Sequence, residues 1–297
     1  MVVVVKKGDS AKDIEDAEDY RFGYQTAVDQ KNTDKMIKDI EKKVGKDVKT
    51  EEYESLTDEA NALLNGNVDA AVFNEGYMSM IDESVEGFSD QVRVLYQYGI
   101  KTKLKEEKKA DVQEPFNVFI SGIDVSGPIT TNSRSDVNII MTVNPNTKQI
   151  LLTTTPRDYY VTIPGVSGDA RDKLTHAGIY GVDASMATLE NLYGIDISYY
   201  ARVNFTSLET IVDALGGVDV NSEVEFEKNG YSFHKGVNHM NGAQALTFSR
   251  ERYSFAEGDN QRGKDQEAVL TAIIQKATSP AIIKSANEIL ATVSDCV

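Results

Sequence analysis

"SDVNIIMTVNPNTKQILLTTTPRD", residues 135–158, contains two apolar runs separated by a short Asn-Pro-Asn turn. Both runs are rich in β-branched residues, which favour strands, so the stretch predicts a β-hairpin. Asp136 lies at the start of the hairpin, and Arg157 and Asp158 follow its end. We therefore expect these polar side chains to meet at one rim of a sheet, where open α/β sheets usually bind ligands.

Strands and helices surround this hairpin in the second part of the chain. The run "FNVFISGIDVSG" predicts an apolar strand that begins at Phe116 and ends at Asp124. Downstream, the apolar periodicity predicts a helix over about 174–192, a strand at "ISYYARVNF", a helix at "TSLETIVDALGG" and a strand at "VDVNSEVEF". We expect an α/β/α sandwich, in which helices cover both faces of a mixed central sheet.

The first part of the chain also alternates strands with helices. "MVVVV" predicts a buried strand. The patterns that follow predict a helix from Thr33 to Gly45, a helix capped by Thr57, a strand at 68–73 and a longer helix over about 75–98. We expect a small α/β accessory domain over residues 1–110 and a second domain over residues 111–297. The lysine-rich "KTKLKEEKKADVQEP" between them predicts a solvated linker.

Composition limits the classes of function. The chain carries 31 basic and 47 acidic residues, a net charge of −16. This balance argues against charge-driven binding to nucleic acid, which depends on Lys and Arg that neutralise phosphates. A single cysteine, Cys296, excludes an intrachain disulfide and a cysteine-ligated zinc or iron site. The sequence contains no run of about eighteen apolar residues, the length that a transmembrane helix requires. The abrupt ends lead us to expect a fragment cut at both ends.

Arginine is concentrated in the second part of the chain. Up to Glu114 only two of the 17 basic residues are arginine, whereas seven of the 14 beyond it are. Arginine presents a planar fork that binds phosphate or carboxylate through two parallel bonds. Three of these arginines, Arg250, Arg252 and Arg262, fall within residues 248–270. Their concentration predicts a local anion site.

The spacing within that segment indicates two pairs of hydrogen-bond donors. Asn241 is a predicted N-cap for a short helix through "GAQALTF", after which Arg250 and Arg252 point the same way if the backbone is extended. Arg262 and Gln266 lie four residues apart and share one helix face. The two pairs could bind one anion that has several oxygens. The alternative is a set of surface salt bridges with three acidic neighbours: Glu251, Asp259 and Asp265.

Other chemistries lack their sequence patterns. The chain contains no Gly-x-x-x-x-Gly-Lys-Ser/Thr loop, no Gly-x-Gly-x-x-Gly and no Gly-x-Ser-x-Gly, which argues against a P-loop, a Rossmann site and a hydrolase elbow. The three histidines lack metal-ligand spacing. We expect His176 to cap or pack rather than to act as a general base.

Six blocks of sequence, in order, resemble the signatures of the LytR-CpsA-Psr family. They are "GID" at 122–124, "RSD" at 134–136, "PRD" at 156–158, "KLTHA" at 173–177, "ALGGVDV" at 214–220 and "HMNGAQALTFSRERYSFAEGDNQRGKDQ" at 239–266. The resemblance extends over about 116–280. Together with the preceding small α/β domain, it makes the chain similar to the CpsA-type capsule proteins of streptococci.

The resemblance implies a Mg²⁺-assisted phosphotransferase. Such an enzyme moves a glycopolymer, for CpsA-type proteins a capsular polysaccharide, from a polyprenyl-pyrophosphate carrier to the 6-hydroxyl of N-acetylmuramic acid in peptidoglycan. Family members are anchored by N-terminal transmembrane helices, and the domain works outside the cytoplasm at the bacterial cell surface. The implied partners are therefore a polyprenyl (pyro)phosphate lipid, lipid-linked polysaccharide, peptidoglycan and the membrane.

Site residues follow from the same motifs. The resemblance implies that the pyrophosphate is held by Arg134, Arg157, Arg250, Arg252, Arg262 and Gln266. It implies that Asp124 and Asp136 hold Mg²⁺, and that the catalytic set is Asp124, Asp136, Arg157 and Arg252. These residue types suit phosphoryl transfer, which needs mainly positioning and charge neutralisation.

Several alternatives stay open at this point. A module that only binds the polyprenyl-pyrophosphate lipid, or a pyrophosphatase that uses water as acceptor, would need the same arginines. A transcriptional attenuator would need a DNA-binding surface, which the acidic balance argues against. The lipid tail requires an apolar tunnel, for which Ile211, Val212 and Leu215 are candidates, although they would be core in any fold. Many relatives continue past the last helix, so elements that close a lipid pocket could lie beyond Val297.

Overall fold

A computed structural model describes residues 1–100, 113–123, 132–167 and 170–280. The chain divides into two compact units. The first comprises Met1–Leu104 with Pro164–Ala170, and the second comprises Lys105–Ile163 with Arg171–Val297. The first of the three breaks between these segments falls inside the lysine-rich stretch that predicted a linker.

The first unit is a mixed α/β structure. Its elements are β1 (Val2–Lys6), β2 (Arg21–Gln25), α1 (Gln30–Val44), β3 (Lys49–Tyr53), α2 (Leu56–Asn65), β4 (Ala70–Phe73), α3 (Met78–Ser84), α4 (Phe88–Gln91) and β5 (Val92–Gln97), with 3-10 turns at Glu15–Ala17 and Glu75–Tyr77. The strand order is β3-β2-β4-β1-β5. Strands β3, β2 and β4 run parallel, and β1 is antiparallel to both of its neighbours.

Strand β1 lies inside this sheet and is buried along most of its length. Val2, Val3, Val4 and Val5 have no exposed surface, as expected for a strand with neighbours on both edges and covered faces. Val3 and Val5 pack in one cluster with residues of α1. The predicted buried strand is confirmed.

The predicted long helix over residues 75–98 is wrong. Gly87 takes a left-handed φ of 67° at the start of α4, which interrupts any helix that runs through it. From Val92 onward the chain pairs with β1 as strand β5, in a register from Val2 opposite Gln97 to Lys6 opposite Val92. This pairing satisfies the free edge of β1, so the contact with a distant strand overrides the local preference.

Two helix starts in this unit also differ from the prediction. Helix α1 begins at Gln30, three residues before Thr33. Helix α2 is capped by Ser55, whose side chain accepts the backbone N–H of Asp58, and Thr57 lies inside the helix. Both Ser and Thr are good caps, so composition alone does not choose between them.

The second unit carries the longer list of elements. They are β6 (Phe116–Ile123), β7 (Ser135–Asn144), β8 (Gln149–Thr154), β9 (Tyr160–Val161), β10 (Asp172–Lys173), α5 (Leu174–Ala177), α6 (Val182–Tyr193), β11 (Tyr199–Val203), α7 (Phe205–Ala214), β12 (Val218–Ser222), β13 (Phe226–Lys228), β14 (Tyr231–Phe233), β15 (Gly236–Met240), α8 (Gly242–Arg250) and α9 (Asp259–Ala277). The main sheet has the order β11-β6-β7-β8.

The main sheet is mixed and has helices on both faces. Strand β11 is parallel to β6, while β6-β7 and β7-β8 are antiparallel, so the predicted hairpin is confirmed. Phe119 and Ile140, which are paired across β6 and β7, pack against Leu189 of α6 on one face. On the other face, the Thr154 hydroxyl donates to Glu267 Oε1 of α9 at 2.6 Å. This arrangement confirms the α/β/α sandwich.

Helices α7, α8 and α9 form a second core with the small sheets. Its centre is a group of aromatic rings in which Phe226 stacks on Phe248 with 5.5 Å between ring centroids. Val212 and Leu215 are buried in this cluster and Ile211 packs against it. The three candidates for an apolar tunnel are therefore core residues in this structure.

The predicted helix over residues 174–192 is broken. Helix α5 ends at Ala177, a 3-10 turn follows at Gly178–Tyr180, and α6 begins after Gly181. Gly181 has φ 105°, which residues other than glycine rarely adopt. Nowhere in the part of the chain that the structure describes does a helix combine the length and the apolar character needed to cross a membrane.

Candidate functional site

A cleft of about 190 Å³ opens at one edge of the main sheet in the second unit. Its walls come from three segments: the start of β7, residues 154–157 at the end of β8, and the first turns of α9 at 259–267. The Thr155 N–H donates to the Asn138 carbonyl at 2.8 Å, so the chain after β8 continues beside the start of β7. Of the three side chains predicted to meet at this rim, Asp136 and Arg157 line the cleft and Asp158 does not.

Asp136 lies in a β-bulge at the start of β7. Ser135 pairs with Ile123 and Val137 pairs with Gly122. Asp136 is therefore the extra residue of the bulge and has no pairing partner in β6. Bulges of this kind turn a side chain away from its regular direction and are frequent next to active sites. Asp136 lines the cleft.

Both carboxylate oxygens of Asp136 accept a hydrogen bond. Arg157 Nη1 donates to Oδ2 at 3.0 Å, and Thr175 Oγ1 donates to Oδ1 at 3.0 Å. The backbone N–H of Thr175 also donates to the Arg157 carbonyl at 2.9 Å. The three residues therefore form a closed set of contacts that fixes the acidic and the basic group together.

Arg157 remains charged in this setting. Burial by itself lowers the pKa of its guanidinium, but the charge and hydrogen bond of Asp136, together with the charge of Asp158, raise the pKa overall. Arg157 Nε lies 3.8 Å from Asp158 Oδ2, and Lys173 Nζ lies 3.0 Å from Asp158 Oδ1. The guanidinium is thus oriented from two sides and keeps its positive charge.

Arg262 and Gln266 project into the same cleft from α9. Their shared helix face is as predicted. Arg262 forms an ion pair with Asp259 one turn earlier, so the predicted alternative of a salt bridge is also realised here. Gln266 Nε2 donates to the Ser249 carbonyl at 3.3 Å.

The surroundings of Arg262 disfavour the charged form of its guanidinium. Burial is the main cause that lowers the pKa of its guanidinium; the charges of Asp259 and Asp136 raise the pKa, and those of Arg157 and Arg252 lower it. Several like charges are thus held near one another with Arg262 only 9% exposed. A bound anion would relieve this repulsion, and perturbed groups in a cleft are typical of functional sites.

The other predicted anion ligands, Arg134, Arg250 and Arg252, are not among the residues that line the cleft. Arg250 is the last residue of α8, and its guanidinium lies 4.0 Å from the centroid of the Phe205 ring. Arg252 lies over the Tyr253 ring at 4.7 Å and donates to its hydroxyl at 2.6 Å. The condition for both side chains to point the same way, an extended backbone, is not met at Arg250, because that residue ends α8. Arg134 directly precedes β7 and is not among the residues that line the cleft.

Of the two predicted metal ligands, one can be placed. Asp136 is in the cleft, whereas Asp124 lies outside the described residues. Within residues 1–100, 113–123, 132–167 and 170–280, no three His, Cys, Asp or Glu side chains cluster as a metal site. The metal expectation therefore rests on Asp136.

Thr175 and Asp259 join the site without having been predicted as members. Thr175 lies within the block "KLTHA", but its link to Asp136 spans 39 residues of chain, and no local pattern reveals such a pair. The sequence predicts Asp259 only as a salt-bridge partner of the nearby arginines. His176 is buried, and its Nδ1 lies 2.6 Å from Asp172 Oδ1, which is consistent with the predicted packing role.

Comparison with known proteins covers mainly the second unit. The model of the LytR_cpsA_psr family matches residues 84–297. The polyisoprenyl-teichoic acid–peptidoglycan teichoic acid transferase TagU of Enterococcus faecalis is 38% identical over 198 residues, which are 66% of this chain and 65% of that protein. The Bacillus cereus protein of the same name is 35% identical over 218 residues, 73% of this chain and 70% of that protein. The chain thus spans about two thirds of the length of these curated relatives.

Solved structures give the same assignment of fold. B. subtilis TagU aligns with a TM-score of 0.53 and 34% identity, over 62% of this chain and 75% of that one. Protein gbs0355 from Streptococcus agalactiae aligns with a TM-score of 0.58 and 26% identity, over 64% of this chain and 70% of that one. The α/β/α architecture of the second unit is thus shared with these proteins.

Proposed function

The chain belongs to the LytR-CpsA-Psr family, and we propose that it is a phosphotransferase that attaches a glycopolymer to peptidoglycan. The polymer comes from a polyprenyl-pyrophosphate carrier, and the acceptor is the 6-hydroxyl of N-acetylmuramic acid. One observation carries the proposal: Arg157, Arg262 and Gln266 converge on a single cleft beside the ion-paired Asp136. Relatives at 38% and 35% identity are named teichoic acid transferases, which supports the reaction class.

The proposed step exchanges one phosphorus–oxygen bond for another. The acceptor hydroxyl oxygen forms a bond to the phosphorus attached to the polymer, and the bond from that phosphorus to the bridging oxygen breaks. Polyprenyl monophosphate leaves with the bridging oxygen, and the hydroxyl proton passes to solvent or to the leaving phosphate. Negative charge grows on the bridging oxygen, where buried guanidinium groups stabilise it most.

The described residues divide this work between them. Arg157 and Arg262 neutralise the non-bridging and leaving oxygens, and each offers several N–H donors for bidentate contact. Gln266 adds a neutral donor from the same helix face as Arg262. Asp136 keeps the Arg157 fork in place through the 3.0 Å bond, so the fork is already oriented before the substrate arrives.

Asp136 also fits a magnesium ligand. Each carboxylate oxygen accepts one hydrogen bond, which leaves one further lone pair on each, and Mg²⁺ commonly binds one or two carboxylates in addition to water and phosphate oxygens. In our proposal Asp136 and Asp124 would hold Mg²⁺, which would neutralise phosphate charge. The proton transfer and the arginine contacts described above do not depend on the ion.

The identity of the polymer is a finer part of the proposal. The sequence blocks and the preceding α/β unit resemble CpsA-type proteins of streptococci, which favours a capsular polysaccharide. The relatives, which are teichoic acid transferases by name, favour teichoic acid instead. We propose the capsular polymer, and we place the reaction outside the cytoplasm on a membrane-anchored protein, because both the lipid carrier and peptidoglycan are reached there.

Transfer to peptidoglycan is measured with a radiolabelled lipid-pyrophosphate saccharide. The purified protein is incubated with this lipid, with Mg²⁺ and with either peptidoglycan fragments or buffer alone. Label in the peptidoglycan fraction supports a transferase. Release of labelled phosphosaccharide at the same rate without acceptor would show a pyrophosphatase, and retention of intact lipid without turnover would show a binding module. Running capsular and teichoic-acid saccharides side by side decides the polymer.

A further inference from the structure

We propose that Thr175 is a positioning residue for the reaction, because it orients the Asp136 carboxylate and the Arg157 main chain at once. The inference rests on the proposed function for its kinetic readout, but its geometry is independent of that function. Thr175 is buried, at 3% exposure, and it is the second residue of α5. It is not expected to touch the substrate, since it acts through its neighbours.

Two hydrogen bonds donated by Thr175 support this assignment. The Thr175 hydroxyl donates to Asp136 Oδ1 at 3.0 Å, and the Thr175 backbone N–H donates to the Arg157 carbonyl at 2.9 Å. An ionised carboxylate is an acceptor only, so the hydroxyl proton must point at Asp136. Asp136 Oδ2 is thereby directed to Arg157 Nη1, 3.0 Å away.

The segment around Thr175 is itself anchored. Leu174 is fully buried, and its N–H donates to the Tyr159 carbonyl at 2.8 Å. One residue after Thr175, His176 Nδ1 lies 2.6 Å from Asp172 Oδ1. A hydroxyl mounted on such a segment can hold its partner within a fraction of an ångström, as precise sites require.

The expected consequence concerns rotation of the carboxylate. The last torsion of an Asp side chain has broad, nearly two-fold minima, so a single bond to Arg157 leaves the group able to turn. The second bond, from Thr175, removes that freedom. Outer partners of this kind typically change activity or metal affinity by about 10-fold to 100-fold when they are removed.

Three substitutions separate positioning from packing. Thr175→Val keeps the shape and removes the hydroxyl, so kcat for transfer is expected to fall about 10-fold to 100-fold, with KM for the lipid substrate changed by less than about 3-fold because the arginines remain. Thr175→Ser keeps the hydroxyl and is expected to retain the parental rate within about 3-fold. Thr188→Val is the matched control, because Thr188 is also buried but donates to the Ala184 carbonyl in α6 at 2.7 Å; its kcat is expected to be parental.

A double-mutant cycle tests whether Thr175 acts through Asp136. In an Asp136→Asn background, Thr175→Val is expected to lower the residual rate by less than about 2-fold, since coupled residues are non-additive. An equal loss in both backgrounds would overturn the proposal. A Thr175→Ser variant as impaired as Thr175→Val would overturn it too, and this result is available even if Thr175→Val fails to fold.

Crystal structures of the parent and of Thr175→Val give a readout that does not depend on turnover. The proposal expects the Asp136 carboxylate to rotate away from Arg157 in the variant, and an unchanged carboxylate would overturn it. If the parent transfers no polymer but the rotation is seen, the proposed function fails while the positioning role of Thr175 stands. If the parent transfers polymer and neither the rate nor the carboxylate changes in Thr175→Val, only the positioning role fails.

Discussion

Removal of the Arg157 guanidinium should lower transfer by orders of magnitude and destabilise the second unit, and a second substitution should restore only the stability. Arg157→Ala deletes a fork that can make two charged hydrogen bonds to a phosphate. Each such bond contributes about 1.5–3 kcal/mol, so the pair amounts to about 3–6 kcal/mol. At about 1.4 kcal/mol per factor of ten, kcat/KM is expected to fall by about 10²-fold to 10⁴-fold.

The stability loss comes from the carboxylate left behind. Asp136 loses its 3.0 Å partner while its side chain is only 15% exposed. Breaking a buried ion pair on one side costs about 3–5 kcal/mol, and the lower figure applies here because Thr175 still donates to Asp136. For a unit of this size about 3 kcal/mol corresponds to a Tm lowered by about 6–12 °C.

Adding Asp136→Asn to Arg157→Ala removes the unpaired charge. The double variant is expected to recover most of the lost Tm in calorimetry, yet to transfer no labelled saccharide in the assay above. Arg171→Ala is the matched control, because Arg171 is an exposed arginine of the same unit that does not line the cleft, and it should leave both measurements unchanged. Transfer by Arg157→Ala within about 3-fold of the parent, or a double variant as unstable as the single one, would refute the reasoning.

Three further outcomes follow from the site. Asp136→Asn should lower transfer by at least about 100-fold at any Mg²⁺ concentration while lipid retention changes little, because the arginines still hold the pyrophosphate; equal loss of both would contradict the division of roles. Arg252→Ala should reduce transfer by about 10-fold or more with the Tm shifted by less than about 2 °C, since its half-buried side chain donates to the hydroxyl of the exposed Tyr253 and packs on no core cluster in the described structure. Burial raises the pKa of Asp265 to about 6, above the unfolded value of about 3.9, so this group destabilises the native state as pH rises from 4 through 6. Asp265→Asn should therefore raise the free energy of unfolding by up to about 3 kcal/mol at pH 8 and by almost nothing at pH 4, as urea unfolding at the two pH values would show.

Local sequence was sufficient wherever the determining contacts lie within a few residues. The Asn-Pro-Asn turn closes through the Asn144 side chain, which accepts the backbone N–H groups of Asn146 and Thr147 at 3.1 Å. Asn241 caps α8 by accepting the Gln244 N–H at 2.9 Å. The helix spacing of Arg262 and Gln266 placed both on one face, and the structure shows both in the cleft.

Only the tertiary structure decided the contacts between distant segments. Strand β5 was predicted as helix because its local pattern is ambiguous, and its state depends on pairing with β1 at the other end of the unit. The guanidinium of Arg250 in α8 lies over the Phe205 ring of α7, a contact between two helices that the sequence does not predict. In both contacts, the sequence around one partner does not predict the other partner.

The core of the candidate site belongs to this second class. Residue types and motif order predicted Arg157 and Asp136 as site members from the sequence. That Arg157 bonds Asp136, and that Thr175 fixes both of them, depends on a bulge in β7 and on the position of α5. The sequence determines which chemical groups the side chains carry. The orientation of those side chains depends on backbone segments that lie 21 and 39 residues apart in the chain and that folding brings together.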